Sequence, residues 1–358
     1  MPEPLKIAVV GVGRMGVIHA LHVHELAQET GSCALAAIVD ADTARARKAA
    51  ADLGAGAAVF ASIAELLAAG AAEASIVATP TGSHRDHATQ LIAGGQRVLL
   101  EKPLTGTLEG DRAFSAELDR DHPDSVMLAF QKRFDPPLAY ARELLESGLI
   151  GRVFKIYSSM EDSGPAPDGF KSGGILPDMS IHNVDEILWL TGRAPRAAMT
   201  IGSRIYSHAL TTAEEDFDDA LLFLWLEGET VAQLQVSRNH VSGYRVETIL
   251  YGEQGQIHVG RFDQKLFEIT VEAYGRRGRN EPLAYRTFRM RDYQRGLAEF
   301  IDRFGTAYKA EVAKFVECCQ ANQPFPITHR DSLRAQEVIS AGMRAVITPE
   351  QAAAVGPS

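Results

Sequence analysis

The feature that most constrains the fold is a glycine-rich turn near the start of the sequence. An apolar stretch over residues 7–10 is followed by Gly11, Gly13 and Gly16 in a GxGxxG spacing, and then by a helical pattern. In such a turn the first glycine permits a tight bend, the second lets backbone approach a pyrophosphate, and the third lets the helix pack on the strand. The helix N-terminus offers N–H groups and a positive dipole end to phosphates. The turn therefore predicts a dinucleotide-binding α/β unit.

An acidic residue completes this pattern and indicates which dinucleotide is bound. Asp40 follows a predicted strand over residues 34–39 and is placed to accept hydrogen bonds from the adenosine ribose. A carboxylate there repels a 2′-phosphate, which favours NAD over NADP. Val12, Arg14 and Met15 of the same turn are expected to line the cofactor site. The alternative is a similar fold that holds FAD, a nucleotide or S-adenosylmethionine.

The first third of the sequence alternates short apolar runs with alanine-rich helical stretches. Alternation at this spacing predicts βαβ units and a parallel sheet covered on both faces. We therefore expect a doubly wound NAD-binding Rossmann domain over residues 1–130. The predicted strands are 7–10, 34–39, 59–60, 74–78, 97–100 and 126–130.

The pattern changes near residue 130. Longer strands with turn residues between them predict an α+β domain over 131–358 with a large, open-faced, mainly antiparallel sheet. The predicted strands are 152–159, 221–226, 231–237, 245–250 and 256–259, and the predicted helices are 135–147, 177–190, 307–320 and 332–345. A loop rich in glycine and proline is expected over 164–174.

Two polar segments follow strands of the predicted parallel sheet, where ligands bind in such folds. The stretch ATPTGSH at residues 78–84 contributes Thr79, Pro80 and His84 as candidate cofactor contacts. The stretch EKP at residues 101–103 contributes Glu101 and Lys102, of which Lys102 is also a candidate catalytic residue because it can hydrogen-bond a reacting oxygen. The alternative for Lys102 is an ordinary solvated lysine at a strand end.

A predicted helix in the second domain carries an acid–base pair. Asp178 and His182 are four residues apart and share a helical face. Oxidation of an alcohol needs a group that takes the hydroxyl proton, and a neutral imidazole oriented by a carboxylate does so near neutral pH. An exposed ion pair or a helix cap is the alternative interpretation of this spacing.

Composition narrows the class of partner. The sequence has 36 Lys and Arg against 46 Asp and Glu, a net charge of −10, so nucleic acid and anionic membranes are poor candidates. We expect no metal site, because the histidines lack ligand spacing and the three cysteines form no CxxC motif. The absence of a recognisable leader, of a long apolar run and of a disulfide framework predicts a cytoplasmic protein.

Taken together, GVGRMG at 11–16, ATPTGSH, EKP and GGILPDMSIHNVD at 173–185 resemble the Gfo/Idh/MocA oxidoreductase family nearly end to end. The resemblance implies a Rossmann domain followed by an open-faced sheet domain, with NAD as cofactor. It also implies that Lys102, Asp178 and His182 form the catalytic set. In that family the lysine and the histidine contact the reacting hydroxyl, and the aspartate lies beside the histidine.

Within the family, the segment QKRFDP at 131–136 looks like one found in inositol 2-dehydrogenases, although Lys132 departs from their usual RRFDP. The same likeness makes Arg133 and Tyr244 candidate substrate contacts, beside Lys102, Asp178 and His182. The expected activity is NAD-dependent oxidation of a cyclitol or sugar hydroxyl. The alternatives are dehydrogenation of another monosaccharide or sugar acid, a glycosidase that uses NAD transiently, and a non-catalytic dinucleotide sensor.

Residues 221–226 are apolar on both alternating faces of a predicted strand. An exposed sheet face does not tolerate this pattern, and the helices of the second domain are expected to cover one side of the sheet. The sequence therefore predicts a homodimer or homotetramer that assembles through the C-terminal sheet.

Overall fold

The structure, a computed structural model, describes residues 3–164, 173–204, 216–261, 267–276, 281–291, 299–348 and 351. The chain forms two compact units. The first comprises residues 1–131 and 307–333, and the second comprises residues 132–306 and 334–358. The predicted division placed residues 307–333 in the second domain, whereas here they pack as part of the first unit.

The first unit is built on a six-stranded parallel sheet with the strand order β3-β2-β1-β4-β5-β6. Its strands are β1 (Leu5–Val10), β2 (Cys33–Val39), β3 (Ala58–Phe60), β4 (Ala74–Val77), β5 (Arg97–Glu101) and β6 (Val126–Ala129). Its helices include α1 (Arg14–Thr30), α2 (Thr43–Leu53), α3 (Ile63–Ala69), α4 (His84–Ala93) and α5 (Leu108–Asp121). The predicted doubly wound sheet is confirmed.

The central strands of this sheet are buried because helices cover both faces. In β1 the residues from Ile7 to Val10 are at most 3% exposed, and every residue of β4 is buried. This burial explains why these strands are uninterrupted apolar runs in the sequence instead of alternating ones. The carboxyl ends of β1, β2, β4 and β5 carry the polar residues singled out above.

The second unit contains an eight-stranded mixed sheet with the order β14-β13-β12-β11-β7-β10-β9-β8. Its strands are β7 (Val153–Glu161), β8 (Pro195–Ser203), β9 (Asp219–Leu226), β10 (Thr230–Ser237), β11 (Arg245–Gly252), β12 (Gly255–Val259), β13 (Glu268–Gly275) and β14 (Ala284–Arg289). Its helices are α6 (Pro136–Glu146) and α7 (Ile181–Thr191), while α8 (Glu299–Ala321) and α9 (His329–Arg344) each contribute residues to both units.

The sheet is mainly antiparallel, as predicted, with one exception. Strand β7 lies between the hairpin β9–β10 and the hairpin β11–β12, and it pairs in parallel with β10. The strands thus do not form a single meander. Of the predicted loop over 164–174, residues 165–172 lie outside the described part of the chain.

One face of this sheet is covered and the other is accessible. Helix α6 packs on β12 and β13, and α7 packs on β7 and β10. On the opposite face Ile201, Trp225 and Val231 are 41%, 43% and 40% exposed. Trp225 and Val231 are direct cross-strand partners, and Phe223 lies half-buried beside them on the same face. We call this surface the open face.

Candidate active site

The glycine turn has the geometry that a dinucleotide site requires. Gly11 has a φ of 85°, and a Cβ built on it would lie 2.7 Å from Cγ2 of Thr79. A Cβ on Gly16 would lie 1.8 Å from the carbonyl oxygen of Gly11, so a side chain there would push α1 away from the turn. Gly13 has open space above it and caps α1 without a side-chain hydrogen bond. The first turn of α1 thus offers room and N–H groups to phosphates.

Asp40 lies directly after β2 and is 7% exposed. Its Oδ2 accepts hydrogen bonds from the N–H of Val12 at 2.9 Å and from Nε of Arg45 at 3.3 Å. Its Oδ1 accepts from the N–H of Asp42 at 2.9 Å and from Nη2 of Arg45 at 2.7 Å. Burial opposes ionisation, but these bonds outweigh it and lower the pKa of Asp40. The residue therefore presents a stable negative charge beside the turn.

The segments after β4 and β5 are joined by His84. Its Nδ1 lies 2.8 Å from the carbonyl oxygen of Pro103, and its Nε2 lies 2.9 Å from that of Thr79. The side chain is 1% exposed. Burial lowers the pKa of His84, while the two carbonyls and the charge of Glu101 act in the opposite direction. His84 therefore lies between the two segments, and in its neutral form its single N–H donates to one of the two carbonyl oxygens.

Lys102 follows β5 in a segment that is held by the hydrogen bonds of Glu101. Glu101 is buried, and its Oε1 lies 2.8 Å from Nε2 of His19 on α1. Its Oε2 accepts the N–H of Lys102 at 3.1 Å. Burial opposes ionisation of Glu101, yet the His19 contact and nearby positive charge lower its pKa. The Lys102–Pro103 peptide is cis, and the Lys102 side chain is half-buried.

The spacing predicts that Asp178 lies in an α-helix, but in the structure it lies in a π-helical turn. This turn spans Leu176–Ser180 and leads into α7 at Ile181. Single π-helical turns are rare and frequently occur at functional sites. His182 is the second residue of α7 and is 6% exposed. Asp178 and His182 thus remain on consecutive turns of one helical segment in the second unit, whereas Lys102 belongs to the first unit.

The carboxylate of Asp178 is held by an arginine that sequence reasoning missed. Arg238 is 1% exposed, and its Nη2 donates to Oδ2 of Asp178 at 3.0 Å. The only sequence signal was its position directly after the carboxyl end of β10. A polar residue at such a place is a candidate site residue, but the sequence predicts only a strand over 231–237 and does not place it beside α7.

Two further ion pairs connect Lys132 and Arg133 to α7, the helix that carries His182. Arg133 donates from Nη2 and Nε to Asp185 at 2.6 and 3.0 Å. Lys132 donates to Glu186 at 2.7 Å, and both of these side chains are at most 1% exposed. Arg133, predicted as a substrate contact, is 11% exposed and spans toward α7 through this bidentate pair.

The remaining predicted substrate contact, Tyr244, lies just before β11 and is half-buried. Burial raises its pKa well above the ordinary value, and the nearby charge of Asp162 acts in the same direction. Its phenol therefore stays protonated and able to donate a hydrogen bond.

Metal ligands are not gathered anywhere in the part of the chain that the structure describes. No group of three or more histidine, cysteine, aspartate or glutamate side chains there has the arrangement to hold an ion. Within the same residues, no helix is long and apolar enough to cross a membrane.

These features define a class of protein. A parallel sheet with a glycine turn and a terminal aspartate after β2 holds a dinucleotide. A second unit presents a buried histidine with a carboxylate one turn before it, which suits proton transfer. Together they define a dinucleotide-dependent oxidoreductase.

Comparison with known proteins leads to the family. Residues 5–127 match the oxidoreductase family with an NAD-binding Rossmann fold, and residues 138–258 match the Gfo/Idh/MocA C-terminal domain. A myo-inositol dehydrogenase of Streptomyces leeuwenhoekii is 31% identical over 92% of this chain and 93% of its own. A scyllo-inositol 2-dehydrogenase (NAD⁺) of Bacillus subtilis is 26% identical over 94% of this chain and 93% of its own.

A solved structure extends the likeness to three dimensions. The scyllo-inositol dehydrogenase of Lactobacillus casei, crystallised with NAD(H) and scyllo-inositol, superposes with a TM-score of 0.79. It is 26% identical and covers 96% of this chain and 97% of its own. The chain belongs to the Gfo/Idh/MocA family of oxidoreductases, and its cofactor is NAD.

Proposed function

We propose that this protein oxidises a secondary hydroxyl of a cyclitol of the myo- or scyllo-inositol kind to a ketone, with NAD as hydride acceptor. The observation that carries this proposal is the likeness to inositol dehydrogenases over more than nine tenths of each chain, 92% and 93% for the Streptomyces relative. The buried histidine of the second unit and the partly exposed carboxylate one turn before it support the same chemistry.

In this reaction His182 is the general base that takes the hydroxyl proton, because a neutral imidazole is the side chain suited to that role near neutral pH. Asp178 orients His182 and balances the charge that it gains. Lys102 positions and polarises the hydroxyl. Arg133 and Tyr244 are proposed to contact the other hydroxyls of the substrate.

NAD, when bound, accepts the hydride that leaves the oxidised carbon. We propose that the turn from Gly11 to Gly16 holds its pyrophosphate and that Asp40 binds its adenosine ribose. Thr79, Pro80, Glu101 and Lys102 follow the neighbouring strands and form the nicotinamide side of the same site. His84 contributes from its position between the segments that carry Thr79 and Pro103.

The test is the rate of NADH formation with a panel of inositols, aldoses and sugar acids, repeated with NADP. We expect the highest kcat/KM with myo- or scyllo-inositol and NAD. A higher kcat/KM with an aldose or sugar acid would replace the cyclitol by that class. Release of an aglycone from a glycoside without accumulation of NADH would replace dehydrogenation by transient oxidation.

The residue roles are tested by Lys102→Ala and His182→Ala, each expected to lower kcat by about a hundredfold or more. Lys48→Ala is the matched control, because the Lys48 side chain is 75% exposed and pairs with Asp52 on α2. Turnover by Lys102→Ala equal to that of the wild type would remove Lys102 from the mechanism.

We also propose that the protein is cytoplasmic and that it assembles as a homodimer or homotetramer through the open face. Support for the assembly comes from Ile201, Trp225 and Val231, which place large apolar side chains on one accessible sheet surface. Contiguous apolar surface of this kind is uncommon on monomeric proteins.

A further inference from the structure

Arg238 occupies an unusual position for an arginine. Its backbone N–H donates to the carbonyl oxygen of Asp218 at 3.0 Å, directly after β10 ends. The next residue, Asn239, is fixed by hydrogen bonds to Ser237 and Asp219, so the chain on this side is held in place. The side chain of Arg238 is 1% exposed. A buried guanidinium keeps its charge and needs carboxylate partners.

Among the residues that the structure describes, Asp178 and Asp216 face this guanidinium with their carboxylates. Nη2 of Arg238 donates to Asp178 at 3.0 Å, and its Nη1 lies 4.0 Å from Oδ2 of Asp216. Asp216 in turn accepts the N–H groups of Ile175 at 2.8 Å and Phe217 at 2.9 Å. The π-helical turn is therefore fastened at its start by Asp216, and its Asp178 is bound by Arg238.

The close fit around Gly174 supports this arrangement. A Cβ on Gly174 would lie 2.8 Å from Oδ1 of Asp216, at a backbone φ of 112°. The backbone thus approaches the Asp216 carboxylate as closely as a glycine permits. Asp216, Arg238 and Asp178 form one connected path from the start of the π-helical turn to the residue one turn before His182.

We propose that Arg238 is a positioning residue of the reaction, which acts by holding the carboxylate of Asp178 in a fixed orientation one turn before His182. This inference rests on the proposed function, since it assumes that Asp178 and His182 act on the substrate. A carboxylate paired with a permanent cation does not compete with the imidazole for the substrate proton. Its orientation is also fixed by a directional, charge-assisted bond.

The test is a double-mutant cycle on kcat with Arg238→Met and Asp178→Asn. We expect Arg238→Met to lower kcat by about tenfold to a hundredfold. In the Asp178→Asn background the same substitution should change kcat by less than about twofold, because the group through which Arg238 acts is already neutral. The Kd of NAD should stay unchanged, since the glycine turn lies in the first unit.

Conservative and control variants separate positioning from folding. Arg238→Lys keeps the charge and should recover part of the lost kcat. Arg120→Met removes an exposed arginine that pairs with Asp121, and it should behave as the wild type. If Arg238→Met does not fold, Arg238→Met with Asp216→Asn removes one of the two facing charges and enters the same cycle.

The possible failures are distinguishable. Additive effects of Arg238→Met and Asp178→Asn would overturn the positioning role of Arg238 and leave the proposed function standing. An equal loss in kcat for Arg238→Lys and Arg238→Met would have the same consequence. A wild-type kcat for Asp178→Asn would instead overturn the catalytic set of the proposed function.

Discussion

At the scale of single residues, the carboxylate of Asp40, which we propose binds the adenosine ribose, already accepts hydrogen bonds from the protein at all its positions. A carboxylate has about four acceptor positions, and here Val12, Asp42 and both bonds from Arg45 use them. The Arg45 side chain is 54% exposed, so solvent screens its pair with Asp40. Under this proposal Arg45 must move or share the carboxylate when the ribose hydroxyls bind.

This competition predicts that Arg45→Met tightens NAD binding. Removing the exposed guanidinium frees two acceptor positions on Asp40, and we expect the Kd of NAD to fall about threefold, the size of an exposed ion pair. A fluorescence titration with NAD measures this Kd. Arg47→Met is the matched control, because Arg47 lies on the same helix and contacts Thr43 instead of Asp40. Weaker NAD binding by Arg45→Met would mean that Arg45 helps to hold the cofactor.

The residues that sequence reasoning found and those that it missed differ in a physical way. Asp40, Lys102 and His182 follow strands or share a helical face, so local spacing marks them. Arg238 lies far from Asp178 in sequence, and its partner is set by the parallel pairing of β7 with β10. No local pattern encodes such a pairing, and the charged pair was therefore not predicted.

At the scale of elements, the segment that carries Asp178 shows where helical periodicity stops being a guide. The sequence predicts one helix over 177–190, and the structure forms a π-helical turn before α7. The tertiary anchor at Ile175 and Asp216 fixes where this segment starts. Helix propensity contains no information about that anchor, so the wider turn could not be predicted from the sequence.

Helix α5 is a second element that the sequence did not predict, and it supports the segment after Lys102. Its residue Asp111 is fully buried and accepts the N–H of Thr105 at 2.8 Å and its hydroxyl at 2.6 Å. Thr107 is the N-cap of this helix, and its side chain accepts a hydrogen bond from the N–H of Gly110. Burial raises the pKa of Asp111 to about 6, against the bonds from Thr105.

Asp111 should therefore make the stability of the protein depend on pH. Its folded pKa, about 6, lies above the ordinary 3.8, so its stabilising contribution is complete below the unfolded value and is lost as pH rises through the folded one. The difference corresponds to about 3 kcal/mol. We predict that the free energy of unfolding of Asp111→Asn, relative to that of the wild type, rises from about pH 4 to about pH 7, as measured by urea unfolding at the two pH values.

The control for this prediction is Glu109→Gln, which removes an exposed carboxylate from the same helical turn. Its free energy of unfolding relative to the wild type should be the same at both pH values. A pH-independent difference for Asp111→Asn would show that the buried carboxyl group does not titrate in this range.

At the scale of the whole molecule, the two sheets could be predicted because each has its own pattern of apolar and turn residues in the sequence. Continuous apolar runs indicated the parallel sheet, and longer strands with turns between them indicated the mixed one. The return of residues 307–333 to the first unit was not predicted. The sequence of an amphipathic helix such as α8 indicates which face is buried, but it does not indicate which sheet that face packs against.

The open face makes a prediction about assembly. Trp225→Asp combined with Val231→Asp places charges on directly paired positions of adjacent strands. If a second subunit buries this surface, the desolvation of two carboxylates should leave monomers, as measured by light scattering. Met343→Asp alters an exposed apolar residue of α9 and should leave the mass unchanged. A wild-type protein that is already monomeric at micromolar concentration would contradict the proposed interface.

Transfer of an isotope label is the sharpest test of the proposed hydride transfer from a cyclitol carbon to NAD. The substrate is myo- or scyllo-inositol deuterated at the carbon that is oxidised, and mass spectrometry follows the cofactor and the organic product. We expect the reduced cofactor to gain the deuterium while the cyclitol becomes a ketone. Unlabelled reduced cofactor, or turnover of the cyclitol with no net reduction of NAD, would contradict the proposed transfer.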